Sequence, residues 1–267
     1  MRNSLYRYLL VLNITVMLLP GVNTLSAQTT YTAANAHAHN DYNHPVPFWT
    51  AYKEGFGSIE ADVFLIDTVL YVAHNLADTA RARTLESLYL DPLEQAIANS
   101  RGYAYADRAK TLLLLIDIKT EAVATLARIE TVVGRYKSIV NCKGLKLVIT
   151  GNQPAIATFT GYPTYIWFDG NLAKEYTIGT LGRIALFSDN FKRYSKWSGE
   201  GVPATEERAL VQSLIDKAHA LKKPIRFWNA PDLPTAWKQF IEWKADYINT
   251  DKVAEIAAFF KRSADGR

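Results

Sequence analysis

The chain has 267 residues, 49% hydrophobic and 21% charged, with a formal net charge of +4. That composition fits one globular domain and leaves little room for a second. The positive residues are dispersed rather than gathered in a tract, which favours anionic ligands and argues against nucleic acid as a partner.

Arg2 and Arg7 form a positive start, Leu9 to Val22 an apolar stretch, and Ser26 and Ala27 a small-residue cleavage point at or next to Gln28. The apolar stretch falls short of the ~20 residues that a spanning helix needs. Asn13 and Pro20 interrupt it. A signal peptide is therefore expected over 1–27, ahead of a domain over 28–267. The protein would be secreted or periplasmic, with no stable membrane span after cleavage. The single cysteine, Cys142, cannot close an internal disulfide and reads as packing.

Short apolar runs then alternate with amphipathic ones. Strands are predicted over 35–39, 57–63, 112–118, 145–150, 164–168, 183–188, 224–229 and 246–250. Asp91-Pro92-Leu93-Glu94 combines an N-cap acid, a first-turn proline and a reciprocal glutamate, a helix start. Further helices are predicted over 121–137, 205–222, 232–243 and 251–262. Eight strand–helix alternations are what a single (β/α)₈ TIM barrel requires. A doubly wound open sheet is disfavoured because no Gly-x-Gly-x-x-Gly turn follows the first strand.

Two segments exceed ordinary connections. Residues 64–90 contain Leu70-Tyr71-Val72-Ala73, so a hairpin is expected to carry His74 back over the barrel mouth. Residues 189–204 mix Phe191, Tyr194 and Trp197 with Lys192, Arg193 and Lys196. Two readings stand for them: a lid over an anionic, partly apolar substrate, or a solvated surface loop.

The chemistry-bearing residues close the apolar runs, where a parallel strand leaves the core. Glu60 and Asp62 are two apart and so share a face, and Asp117 ends the aliphatic run Leu112–Ile116. Three carboxylates gathered there would repel one another unless a hard divalent cation held them. The alternative is neutralisation by Lys119 or an arginine. On the cation reading, amides replacing Glu60 and Asp62 remove repulsion with the ligands and leave the fold intact. Lys119 lies on the face of Asp117 and offers an ammonium to a phosphate oxygen.

The histidines are at 37, 39, 44, 74 and 219. His39 and His74 end strands and suit proton transfer. His44 and His219 read as exposed. His37 and His39 share a face, so a metal-dependent amidohydrolase with both as ligands is a rival, weakened because Asp169 and Asp189 end the fifth and sixth strands where it needs histidines. A non-catalytic extracellular binding protein is a third reading. At the late strands Trp228, Asn249 and Asp251 reach the same rim, with wall and core-packing roles both open for Trp228.

Together these residues resemble the phosphatidylinositol phospholipase C-like phosphodiesterase superfamily, which includes the glycerophosphodiester phosphodiesterases. That pattern is a first-strand His, then Glu-x-Asp, a second His, and an acid-x-Lys, here His39, Glu60-Ala61-Asp62, His74 and Asp117-Ile118-Lys119. His39-Asn40-Asp41-Tyr42, Ser58-Ile59-Glu60-Ala61-Asp62-Val63 and Ile248-Asn249-Thr250-Asp251 look like the fungal altered inheritance of mitochondria family and its bacterial relatives. The Asp-x-Lys form is also similar to that of spider sphingomyelinase D toxins. Typical glycerophosphodiesterases follow the first His with Arg-Gly, where this chain has Asn40-Asp41, and the third acid here is Asp rather than Glu.

The resemblance implies that Glu60, Asp62 and Asp117 bind one divalent cation, Mg²⁺ or Ca²⁺. It implies His39, His74 and Lys119 as catalytic groups, and Asn40, Trp228, Asn249 and Asp251 as substrate-binding groups. The expected activity is hydrolysis of a small-molecule or lipid phosphodiester of glycerophospho- or lysophospholipid type. The lid residues and the missing arginine favour the lipid-derived substrate.

Overall fold

A computed structural model of the chain describes residues 31–80 and 82–264. The signal expected over 1–27 lies outside them. Nine strands are formed: β1 (Ala36–Ala38), β2 (Ser58–Ile66), β3 (Val69–Val72), β4 (Leu112–Ile118), β5 (Leu145–Gly151), β6 (Ile166–Gly170), β7 (Ile184–Asn190), β8 (Ile225–Trp228) and β9 (Ile248–Thr250). Eight of them run parallel in the order β8-β7-β6-β5-β4-β2-β1-β9. A parallel bridge between Arg226 and Tyr247 joins the two ends and closes the barrel. The fold is the (β/α)₈ TIM barrel.

β4 shows why the aliphatic run makes such a strand. Leu113 and Leu115 point inward and pack with Val148, Ala185 and Leu186, while Leu112, Leu114 and Ile116 join the larger core outside. A strand buried on both faces has no polar side to alternate with. The outer shell holds helices α1 (Trp49–Glu54), α2 (Asp91–Asn99), α3 (Ala122–Val133), α4 (Lys137–Val140), α5 (Ile178–Gly182), α6 (Thr205–Ala220), α7 (Pro234–Trp243) and α8 (Val253–Ala264). The helix predicted over 121–137 ends early, at Val133, and a separate short helix, α4, starts at Lys137. Gly134 follows α3, and glycine's conformational freedom makes it a poor residue to continue a helix.

β2, β5, β6 and β7 run further toward the mouth than predicted. β2 continues to Ile66 because β3 folds back on it antiparallel, pairing Val63 with Val72 and Ile66 with Val69. The hairpin returns the chain to Asp62, whose carbonyl accepts from Ala73 N at 3.3 Å, and His74 follows at the mouth as expected. Segment 189–204, for which a lid and a solvated loop were both open, packs on the outer layer. Phe191 is buried against Phe227, Phe240 and Trp243, and Trp197 packs edge-on to Trp243. Ser195 Oγ and Lys196 N donate to Glu207 at 2.7 and 3.0 Å. Its aromatic residues are thus fastened to the outer layer, where burying them is favourable, and do not cover the mouth.

Candidate active site

β2 and β4 bring the acids together through register. Asp62 stands opposite Asp117, and Glu60 lies two residues before Asp62 on the same inner face. One ligand oxygen from each of Glu60, Asp62 and Asp117 falls within 4.8 Å of the others. Among the described residues this is the one such cluster with metal-ligating potential.

Two cations already stand among the three acids. Arg226, on β8, donates from Nη1 to Glu60 Oε2 at 2.6 Å and from Nε to Ser188 Oγ at 3.1 Å. Lys119 Nζ lies 2.8 Å from Asp117 Oδ2 and 3.0 Å from Asp62 Oδ2. Burial pushes the Glu60 carboxyl upward, but the Arg226 guanidinium and His37 outweigh it and hold the group well below its ordinary range. Asp117 goes the other way: burial lifts it to about 6 despite Lys119. Asp62 is also raised, by burial and then by the Glu60 charge. Neutralisation by both Lys119 and an arginine, one of the two alternatives from sequence, is therefore real, and it is incomplete. Asp62 Oδ1 and Asp117 Oδ1 are buried with no hydrogen-bond partner. A buried carboxylate oxygen without a partner costs free energy that a bound cation would offset. The donor set fits a hard divalent ion. Gly151, at φ +69°, makes room for the Asp117 carboxylate, because a Cβ there would collide with Asp117 Oδ1.

His37 takes no part as a metal ligand. It is fully buried, with Nδ1 2.7 Å from Ser58 Oγ and Nε2 2.7 Å from Glu60 Oε2. Burial and then Arg226 lower its pKa to about 3, so it is neutral and supports Glu60 from beneath. The His37–His39 ligand pair that an amidohydrolase requires is not assembled.

His39 directly follows β1, and its backbone N–H donates to Thr250 O at 3.0 Å. Its Nδ1 sits 2.9 Å from Asp251 Oδ1, which leaves Nε2 as the outer nitrogen. Burial alone would lower the His39 pKa, but the hydrogen bond and charge of Asp251, with Glu60, raise it. Asp251 thus orients His39, as a carboxylate partner does for catalytic imidazoles. Asn40 turns the chain at this point with φ 48° and ψ 38°, a left-handed conformation that asparagine tolerates. His74 is exposed and reaches Tyr42 Oη with Nδ1 at 3.2 Å. His219 is exposed, as expected, and pairs with Asp246 at 2.8 Å, whereas His44 is half-buried with Nε2 unpartnered.

These groups line one cavity of about 810 Å³ at the mouth. His39, His74, Asn40, Lys119 and the acid cluster form one side. Pro154, Ile156, Tyr176 and Trp228 add an apolar arc. Trp228 is 40% exposed, so it is a wall and not core packing. Asn249 stands a layer lower, accepting from Arg226 Nη1 at 3.3 Å. Asn249 and Asp251, expected to bind substrate, contact Arg226 and His39. Arg226, Tyr42 and Asp169 are site residues to which the sequence reading gave no role. Asp169 lines the cavity 3.9 Å from Arg226, and burial lifts its carboxyl to about 6.

Residues 26–139 match the AIM6-like phosphodiesterase domain, and residues 224–254 match the glycerophosphoryl diester phosphodiesterase family. The two matches contain His39, Glu60, Asp62, His74, Asp117 and Lys119 on one side, and Trp228, Asn249 and Asp251 on the other. These matches bear out the resemblance to the phosphatidylinositol phospholipase C-like phosphodiesterase superfamily. It is 25% identical to altered inheritance of mitochondria protein 6 of Kluyveromyces lactis, over 84% of this chain and 72% of that protein. Two solved structures share its fold. One is a glycerophosphodiester phosphodiesterase from Parabacteroides distasonis, with a TM-score of 0.52 and 17% identity, covering 86% of this chain and 96% of that one. The other is a Ca²⁺-dependent phosphatidylinositol-specific phospholipase C from Streptomyces antibioticus, with a TM-score of 0.54 and 10% identity, covering 85% and 94%. Asn40 stands where typical glycerophosphodiesterases carry an arginine, and the cavity takes its cationic groups from Lys119, Lys174 and, deeper, Arg226.

Proposed function

We propose that this chain is a divalent-cation-dependent phosphodiesterase acting on a glycerophospho- or lysophospholipid-type diester. The observation that carries the reading is the pair of buried, unpartnered oxygens on Asp62 and Asp117, set beside His39 and His74 in one cavity. A divalent cation held by Glu60, Asp62 and Asp117 would supply charge neutralisation to the phosphoryl oxygens. Lys119 binds a further phosphate oxygen with its ammonium. One imidazole takes a proton from the attacking hydroxyl, from water or from the substrate itself, and the other delivers a proton to the leaving oxygen. Asp251 keeps His39 aimed and favours its charged form.

An acyl tail, where present, leaves across Trp228 and the arc of Pro154 and Ile156. Each methylene that becomes fully desolvated there would add ~0.8 kcal/mol. The test is a panel of phosphodiesters assayed with Mg²⁺ or Ca²⁺, including a series that differs only in acyl length. kcat/KM should rise with length and exceed that for glycerophosphocholine. A flat series assigns the cavity to small polar diesters, and no turnover of any diester leaves a binding protein. Export through residues 1–27 belongs to the same proposal. N-terminal sequencing of the exported protein should begin at or next to Gln28, and an intact Met1 would refute it.

A further inference from the structure

Tyr42 is 1% exposed, yet its hydroxyl stands among the groups that do the proposed chemistry. Oη lies 2.6 Å from Asn40 Oδ1, 2.8 Å from Asp62 Oδ2 and 3.2 Å from His74 Nδ1. A phenol has one hydrogen to donate and lone pairs with which to accept. The amide and carboxylate oxygens can only accept, and both are nearer than the imidazole. The hydrogen therefore goes to one of those two, and the phenol oxygen is left to accept from His74. His74 must then carry its hydrogen on Nδ1, and Nε2 becomes the nitrogen with a free lone pair. Asp62 Oδ2, at 3.5 Å from the same Nδ1, favours the same tautomer.

The hydroxyl also reaches the other histidine. When Asn40 Oδ1 accepts from Tyr42, the amide is turned so that Nδ2 donates to Asp251 Oδ1, the partner of His39, at 3.5 Å. One buried oxygen thus touches the partners of both imidazoles.

We propose that Tyr42 is a positioning residue whose hydroxyl sets the His74 tautomer and steadies Asn40 beside His39. Its effect on turnover rests on the phosphodiesterase reading; its effect on the imidazole does not. Tyr42→Phe keeps the buried ring and removes only the oxygen. In ¹⁵N-labelled wild type, at a pH where His74 is neutral, the ring-nitrogen shifts should report hydrogen on Nδ1. In Tyr42→Phe the population should move toward hydrogen on Nε2, the form that free imidazole prefers. kcat on a phosphodiester should fall about 10²-fold, the scale of a misplaced catalytic group, with KM within about twofold. Hydrogen on Nε2 in the wild type overturns the proposal whether or not the variant folds. An unshifted tautomer, or unchanged kcat, in a folded Tyr42→Phe also overturns it. A shifted tautomer in a protein that turns over no diester would uphold Tyr42's role and remove the phosphodiesterase reading alone.

Discussion

Glu60→Ala is expected to lose about 3–5 kcal/mol of folding stability, the range for removing one partner of a buried ion pair. Asp117→Asn is expected to change stability by no more than about 1 kcal/mol, although both variants lose cation binding. The difference follows from what each acid holds. Glu60 takes Arg226 at 2.6 Å and His37 at 2.7 Å in a site closed to solvent, and without it a guanidinium is stranded in the barrel. Asp117 shares Lys119 with Asp62, and that ammonium is part-exposed, so it keeps both a partner and water. For the same reason, amides at both Glu60 and Asp62 would not leave the fold intact, as sequence alone suggested, because Arg226 depends on the charge. Urea midpoints of the two variants check this. Equal midpoints would mean that Arg226 finds other compensation and that Glu60 is not its counter-charge.

The second large effect concerns the imidazoles. His39→Ala and His74→Ala should each lower phosphodiester kcat/KM by ~10² or more, the scale of a positioned proton donor or acceptor. His219→Ala should stay near wild type, since its ring contacts Asp246 on the outer layer, away from the cavity. Comparable losses in all three would indicate lost stability rather than lost chemistry.

The barrel was legible because its strands announce themselves. Leu112–Ile116 has no polar residue to spare for a solvent face, and Asp117 marks where the strand emerges. Glu60-Ala61-Asp62 was legible for the related reason that two acids on one face of a buried strand need compensation. Their actual compensation was harder to read. Arg226 sits between Ile225 and Phe227 with no local sign of its role, and its partner Glu60 is 166 positions away in the chain. Tyr42 lay inside a quoted motif, but nothing in Asn40-Asp41-Tyr42 tells which way a phenol will point. Segment 191–204 misled through composition, since aromatic and basic residues suit a lid as well as they suit the outer layer. Only the packing of Phe191 and Trp197 on Trp243 decides between these.

The central claim is that the three-carboxylate cluster holds a divalent cation on which phosphodiester cleavage depends. Calorimetric titration of Mg²⁺ and Ca²⁺ into chelator-treated wild type and Asp117→Asn, with phosphodiester turnover followed on the same samples, tests it most directly. Wild type should bind one equivalent of at least one ion and regain turnover as the site fills, and Asp117→Asn should do neither. Full turnover after chelation, or equal ion binding by the folded variant, would contradict the claim.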